Sequence, residues 1–403
     1  MPGGTLFLST RLRVAALAVV GAGLIGCGGS NQGSLPQTSG QLSPQGESRT
    51  TGGDNESSAG KTTLLKTIAV PNVDAGGKFS YDIGFVDPEK SAYYLADRTN
   101  KSLDVFSTTS LTLVAQIGGF TGDGASSDTS GPDGVVAIPG TDTVYVGDVN
   151  TVKVVDVGSR SIVKTIVTGS AGLRTDEGCY DPDDKVVLFA NPADAPPYAT
   201  FISTETRSVV GTLQFDATGL EQCVYNPRTK SFYINNDGSK SNPTGELDVI
   251  SAQSVKQGAP KISAAFPLTN CGPTGMALRE EDLLIGCDPP AGQPAVTYIV
   301  NAETGAVKKQ ITQVGGSDQV AYDPNNRRFY TASRNMTSTG IAGTGTKTPV
   351  LGVIDADNLK WIENVPTVAN SHSVAADPLR NHVFVPLAPT QTSSGGIGVY
   401  GSP

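Results

Sequence analysis

From Thr62 onward, apolar positions come in short runs, many alternating with polar ones and closed by a turn signal, and no long helical pattern competes. Seven of these runs open on a shared phrase. They are Asp82-Ile-Gly-Phe-Val-Asp-Pro88, Asp133-Gly-Val-Val-Ala-Ile-Pro139, Asp176-Glu-Gly-Cys-Tyr-Asp-Pro182, Glu221-Gln-Cys-Val-Tyr-Asn-Pro227, a degenerate Thr274-Gly-Met-Ala-Leu-Arg279, Asp318-Gln-Val-Ala-Tyr-Asp-Pro324 and His372-Ser-Val-Ala-Ala-Asp-Pro378. Each phrase predicts a short apolar strand ending in a tight turn, where proline sets φ and Asp or Asn hydrogen-bonds the turn. A second strand follows, as in Ala92-Tyr-Tyr-Leu-Ala96 or Arg328-Phe-Tyr-Thr-Ala332. An alternating third comes next, as in Leu247-Asp-Val-Ile250, and then a fourth, as in Ser161-Ile-Val-Lys-Thr-Ile166.

Four short antiparallel strands repeating about every 45 residues are the signature of a β-propeller blade. The last repeat runs out of chain after its third strand, Ile397-Gly-Val-Tyr400. The orphan Thr62-Thr-Leu-Leu-Lys-Thr-Ile-Ala69 matches a fourth strand residue type for residue type. The prediction is therefore an all-β, seven-bladed propeller over residues 62–403, closed by an N-terminal strand that completes the last blade and leaves no open seam.

Composition agrees: 48 Gly, 26 Pro and 17% charged residues fit a turn-rich β architecture better than several average domains. The formal charge of −9 comes without a basic stripe, so nucleic acid is excluded as a partner and cationic ligands or metal ions fit better. Residues 1–26 read as a targeting segment, with Arg11 and Arg13 before an apolar run too short to span a membrane. Residues 27–61 are Ser, Gly, Thr, Gln and Asn with few apolar side chains, which predicts a flexible tether.

After Cys27, four cysteines remain, an even number that fits an oxidising compartment. Cys179 and Cys223 lie on the first strands of consecutive blades, three and two residues after the aligned acidic position. That opposite parity turns both toward the same gap between blades. Cys271 and Cys287 then pair within blade five, across its first two strands. Buried free thiols or a metal site are the alternative, although no Cys-x-x-Cys occurs.

Several segments resemble known groups. Leu24-Ile-Gly-Cys27 resembles the lipobox of bacterial lipoproteins, which implies that Cys27 is lipidated and becomes the first residue of an exported, membrane-anchored chain. Gly28 after the cysteine, rather than Asp, resembles the outer-membrane sorting class of Gram-negative cells. Tyr94-Leu-Ala-Asp-Arg-Thr-Asn-Lys-Ser-Leu-Asp-Val-Phe106 is similar to NHL repeats, and Val144-Tyr-Val-Gly-Asp148 with Val154-Val-Asp-Val157 is similar to the YVTN repeats of exported bacterial propellers. Those families include binding proteins, scaffolds, lactonases and lyases, so fold does not decide activity.

The aligned position that opens each first strand reads Asp82, Asp133, Asp176, Glu221, Thr274, Asp318 and His372, and in a propeller it lies at the mouth of the central channel. Loops after the second strands are expected to add Asp97, Asp148, Asn191, Asn236, Asp237, Asp288 and Asn335. Carboxylates this close repel unless a cation, an arginine or water screens them. The leading expectation is a monomeric binding or scaffold module whose acidic funnel takes a small cationic ligand or an envelope protein through Asp82, Asp133, Asp176, Glu221 and Asp318. The resemblance to propeller lactonases and lyases implies an alternative, in which these five residues bind Ca²⁺ or Mg²⁺ and His372 transfers a proton. The Glu and paired-Asn arrangement of those lactonases is not recognisable here. A third reading has the acids capping backbone amides around a water-filled channel. His382 is expected as a solvated turn residue on the opposite face, and Trp361 as an outer-strand residue packed on a neighbouring blade or exposed.

Overall fold

The computed structural model describes residues 61–402, so the targeting segment, Cys27 and all of the tether except Lys61 lie outside the described residues. Within them the chain forms seven four-stranded antiparallel sheets. Six are built from consecutive strands, beginning with blade 1 at Tyr81–Asp87, Ala92–Asp97, Ser102–Ser107 and Thr112–Gly118. The seventh combines Ala375–Asp377, His382–Leu387 and Gly396–Gly401 with the N-terminal strand Thr63–Ile68, which pairs antiparallel with Gly396–Gly401 from Thr63 opposite Gly401 to Ile68 opposite Ile397. First strands of neighbouring blades touch one another around the whole ring, including blades 7 and 1.

The turn closing each first strand shows why the Asp-Pro phrase recurs. Asp87 Oδ1 accepts the backbone N–H groups of Glu89 and Lys90 at 3.0 and 3.1 Å. Asp181, Asn226, Asp323 and Asp377 accept the same way in blades 3, 4, 6 and 7. A short acceptor on the turn replaces the ladder bonds that the reversing chain loses.

Apolar side chains lie between the blades. Tyr81, Tyr93, Leu95 and Phe106 of blade 1 pack on Ile68, Phe384, Ile397 and Val399 of blade 7, so the N-terminal strand contributes to the interface as well as to the sheet. Outer strands alternate, as in Thr112–Gly118, where every second residue is exposed. The two disulfides pair as expected: Cys179–Cys223 joins the first strands of blades 3 and 4 with Cα atoms 5.6 Å apart, and Cys271–Cys287 closes blade 5 at 4.8 Å. Such bonds suggest an extracytoplasmic protein. Among the described residues no helix is long and apolar enough to cross a membrane.

His382 is half-buried rather than solvated, with its ring edge-on to Phe384 at 6.3 Å, and burial pulls its pKa below the usual histidine range. Trp361 is exposed on its outer strand and donates Nε1–H to Asn364 at 3.0 Å.

Candidate functional site

The channel mouth where the first strands begin holds a polar cavity of about 240 Å³, lined among others by Asp82, Asp176, Glu221, Asp318 and His372. Asp133 completes the set through its contact with Arg98. The carboxyls do not form one ring of five. They fall into two groups, Asp82/Asp133/Asp176 and Glu177/Glu221/Asp318, and within each group one oxygen per residue lies within 4.8 Å of the others. Thr274, the fifth aligned position, turns away and donates its hydroxyl to the backbone oxygens of Ser317 and Gly286 at 2.9 and 3.2 Å.

Arginines occupy the first group. Arg98 Nη2 lies 2.8 Å from Asp82 Oδ2 and also bonds Asp133, while Arg98 Nε donates to the carbonyl of Pro132 at 3.3 Å. Arg174 Nη1 lies 2.7 Å from Asp176, and Arg334 pairs with Asp318 Oδ2 at 2.8 Å. The partners of these acids are guanidiniums rather than the backbone amides of the capping reading. Arg98 stands between Asp82 and Asp133 and supplies positive charge at that side of the set of five. The "acidic funnel" is therefore a charge-paired one in which six carboxyls face three guanidiniums.

Burial, and after it the charges of neighbouring groups, set the titration behaviour. Burial disfavours ionisation of Asp82, but Arg98 and then His372 outweigh it and hold its carboxyl well below the usual range. Asp176 goes the other way: burial, only partly offset by Arg174, pushes it up to about 7. Burial also raises Asp133, Glu177 and Glu221 well above the ordinary range, with neighbouring carboxylates adding to it. Asp237 rises to about 6 for the same reasons.

His372 is firmly held. Its ring stacks on Tyr81 at 4.5 Å and 5° between planes, Nδ1 is 2.8 Å from the carbonyl of Asn370, and Nε2 is 3.5 Å from Asp82. Tyr81 is anchored in turn by its hydroxyl, which donates to the carbonyl of Pro386 at 3.1 Å.

Of the loop residues, Asp97, Asp148, Asn191 and Asn236 serve their own blades instead of the funnel. Asp97 accepts from the backbone of Asn100 at 2.9 Å, Asp148 pairs with Lys153 at 2.6 Å, Asn191 accepts from Thr200 at 2.9 Å, and Asn236 donates to Asp248 at 3.0 Å. Asp288 and Asn335 bond each other at 2.8 Å beside a separate surface cleft. The funnel-facing residue is the one immediately after the second strand: Arg98 in blade 1 and Arg334 in blade 6. Asp237, at the same place in blade 4, lines an adjoining cleft of about 530 Å³ that shares Arg174 and Glu221 with the funnel.

One step deeper, the next residues of the first strands include two cross-linking glutamines and two glycines. Gln319 donates to the carbonyl of Gly84 at 2.9 Å and accepts from Ser373 Oγ and Val374 N at 2.7 and 3.0 Å, tying blades 6, 7 and 1. Gln222 accepts from Met276 N at 2.8 Å and Val320 N at 3.3 Å, tying blades 4, 5 and 6. At Gly134 and Gly275 a Cβ would stand 2.1 Å from the carbonyl oxygen of Asp176 or Asp318, so a side chain there would force the strands apart. Glu177 takes this position in blade 3. It lines both the funnel and an apolar cavity of about 430 Å³ on the other side of the glutamines.

Arg98, Arg174, Arg334 and Glu177 escape a reading of the aligned acidic position alone. A signal exists: Arg98 and Arg334 occupy the same place in their repeats, and Glu177 is the one acid among Ile83, Gly134, Gln222, Gly275, Gln319 and Ser373.

No protein-family sequence profile matches the chain, and no curated protein does. Among solved structures it is similar to hydrazine synthase of Kuenenia stuttgartiensis, with a TM-score of 0.62 and 14% identity over 78% of this chain and 94% of that one. At that identity the likeness establishes the seven-bladed propeller fold and nothing of the chemistry.

Proposed function

We propose that the protein is an exported, lipid-anchored binding module of the NHL/YVTN type, and that its funnel takes a positively charged ligand, an organic amine or a metal ion. The carrying observation is the excess of six buried or half-buried carboxyls over three guanidiniums in one small cavity. Burying charge costs several kcal/mol per ion unless it is paired, so the surplus acids hold protons or exchange them for a cation. The adjoining cleft of about 530 Å³, which reaches Glu221 and Asp237, gives such a ligand room beyond the cavity itself.

Binding fits these residues better than hydrolysis or elimination routed through His372. Both of its ring nitrogens face acceptors and its plane is stacked on Tyr81, an arrangement that fixes the ring in place. The lipobox-like Leu24-Ile-Gly-Cys27 and the tether after it support attachment to the cell envelope, and Gly28 supports the outer membrane.

One experiment has two arms. Calorimetric titration should give saturable binding of organic amines, weakened in Glu221→Gln, with no binding of carboxylates of matched size; equal binding of anions refutes the charge reading. In fractionated cells Cys27→Ser should leave the membrane fraction or accumulate unprocessed, and unchanged membrane recovery of a chain of mature size refutes the anchor.

A further inference from the structure

We propose that Glu177, Glu221 and Asp318 form a site for one Ca²⁺ ion beside the arginine-filled triad. This rests on the funnel reading and narrows it to a single cation. One carboxylate oxygen from each residue lies within 4.8 Å of the other two. Glu177 is 3% exposed, and its Oε2 is buried with no hydrogen-bond partner. Among the described residues no hydrogen bond or ion pair reaches the Glu221 carboxyl either, although Asp237 and Asp318 press on it electrostatically. Asp318 gives Oδ2 to Arg334 and keeps its other oxygen. The sister triad differs because Arg98 and Arg174 already supply its positive charge.

Oxygen-only donors select a hard cation. Ca²⁺, with bonds of about 2.3–2.6 Å, admits oxygens up to about 5 Å apart across the ion, whereas Mg²⁺, at about 2.0–2.1 Å, needs every pair within about 4.2 Å and a near-ideal octahedron. Separations within 4.8 Å fall inside the reach of Ca²⁺, and its flexible coordination accepts three carboxylates supplied by three different blades. Three protein ligands leave roughly three to five of its positions to water or to oxygen atoms of a funnel ligand.

The test is calorimetric titration of the chelator-stripped full chain with CaCl₂, MgCl₂ and, separately, an organic diamine. The expected result is one Ca²⁺ per chain, bound at least tenfold more tightly than Mg²⁺. Glu177→Gln and Glu221→Gln should each lose at least tenfold in Ca²⁺ affinity without lowering the metal-free melting temperature, since each removes a repelling carboxyl. Asp142→Asn, in a surface pair with Lys90, should leave Ca²⁺ binding unchanged. If one glutamine variant fails to fold, Asp318→Asn supplies an independent loss. Absence of Ca²⁺ binding up to millimolar concentration, or equal affinity in the glutamine variants, overturns the site. Diamine binding without Ca²⁺ binding discards the metal and keeps the funnel reading; binding of neither discards both.

Discussion

Arg98 shows how one side chain decides what a group of acids can do. It is 7% exposed and pairs with two carboxylates of different blades, Asp82 and Asp133, which would otherwise repel in a buried setting. Removing one partner of a buried ion pair leaves an uncompensated charge, which typically costs about 3–5 kcal/mol. Arg98→Met is therefore expected to lose stability of about that size in urea unfolding, and adding Asp133→Asn should recover part of it, because one of the two stranded charges is gone. Unchanged stability of Arg98→Met would show that the guanidinium does not hold this triad together.

Within single blades the same physics operates away from the funnel. In blade 4, burial raises Asp248 to about 6, a hydrogen bond from Asn236 lowers it and Glu246 raises it again. Asp104 in blade 1 is displaced upward by burial and by Asp97. A carboxyl whose folded pKa lies above its unfolded value of about 3.9 contributes stability that is complete below about pH 4 and lost as pH rises through the folded value. Asp82, held low, works in the opposite direction, but its contribution is complete above about pH 4. The melting temperature should thus fall between pH 5 and pH 7, and Asp248→Asn should shrink that fall. A melting temperature that rises over this interval contradicts the assignment.

At the scale of the ring, stability depends on a strand that is first in sequence and last in the sheet. Thr63–Ile68 covers the edge of Gly396–Gly401, and Ile68 and Val70 enter the interface between blades 7 and 1. Burying two such side chains is worth about 3–6 kcal/mol in all, before the unpaired edge is counted. A chain lacking Thr62–Val70 should lose at least this much in thermal or denaturant unfolding and associate through its exposed edge. A truncated chain that melts like the parent would mean that the closure is dispensable.

The seven-fold phrase, its Asp-Pro turns, the orphan first strand and both cysteine pairings are legible in the sequence because each is local or periodic. A turn needs its acceptor two residues from its donors, and a strand needs alternation. Disulfide partners follow once parity within a repeat is known. Convergence of Asp82, Asp133, Asp176, Glu221 and Asp318 on one end of the channel follows from the repeat as well. What the repeat does not contain is charge balance. Which side chain answers a buried carboxylate depends on distances across the axis, between residues as far apart in sequence as Arg98 and Asp133 or Glu177 and Asp318, and on which of two neighbouring residues at a strand end faces inward. Tertiary structure alone decided that Arg98 and Arg174 occupy one triad and that Glu177, buried and unpartnered, stands open with the other.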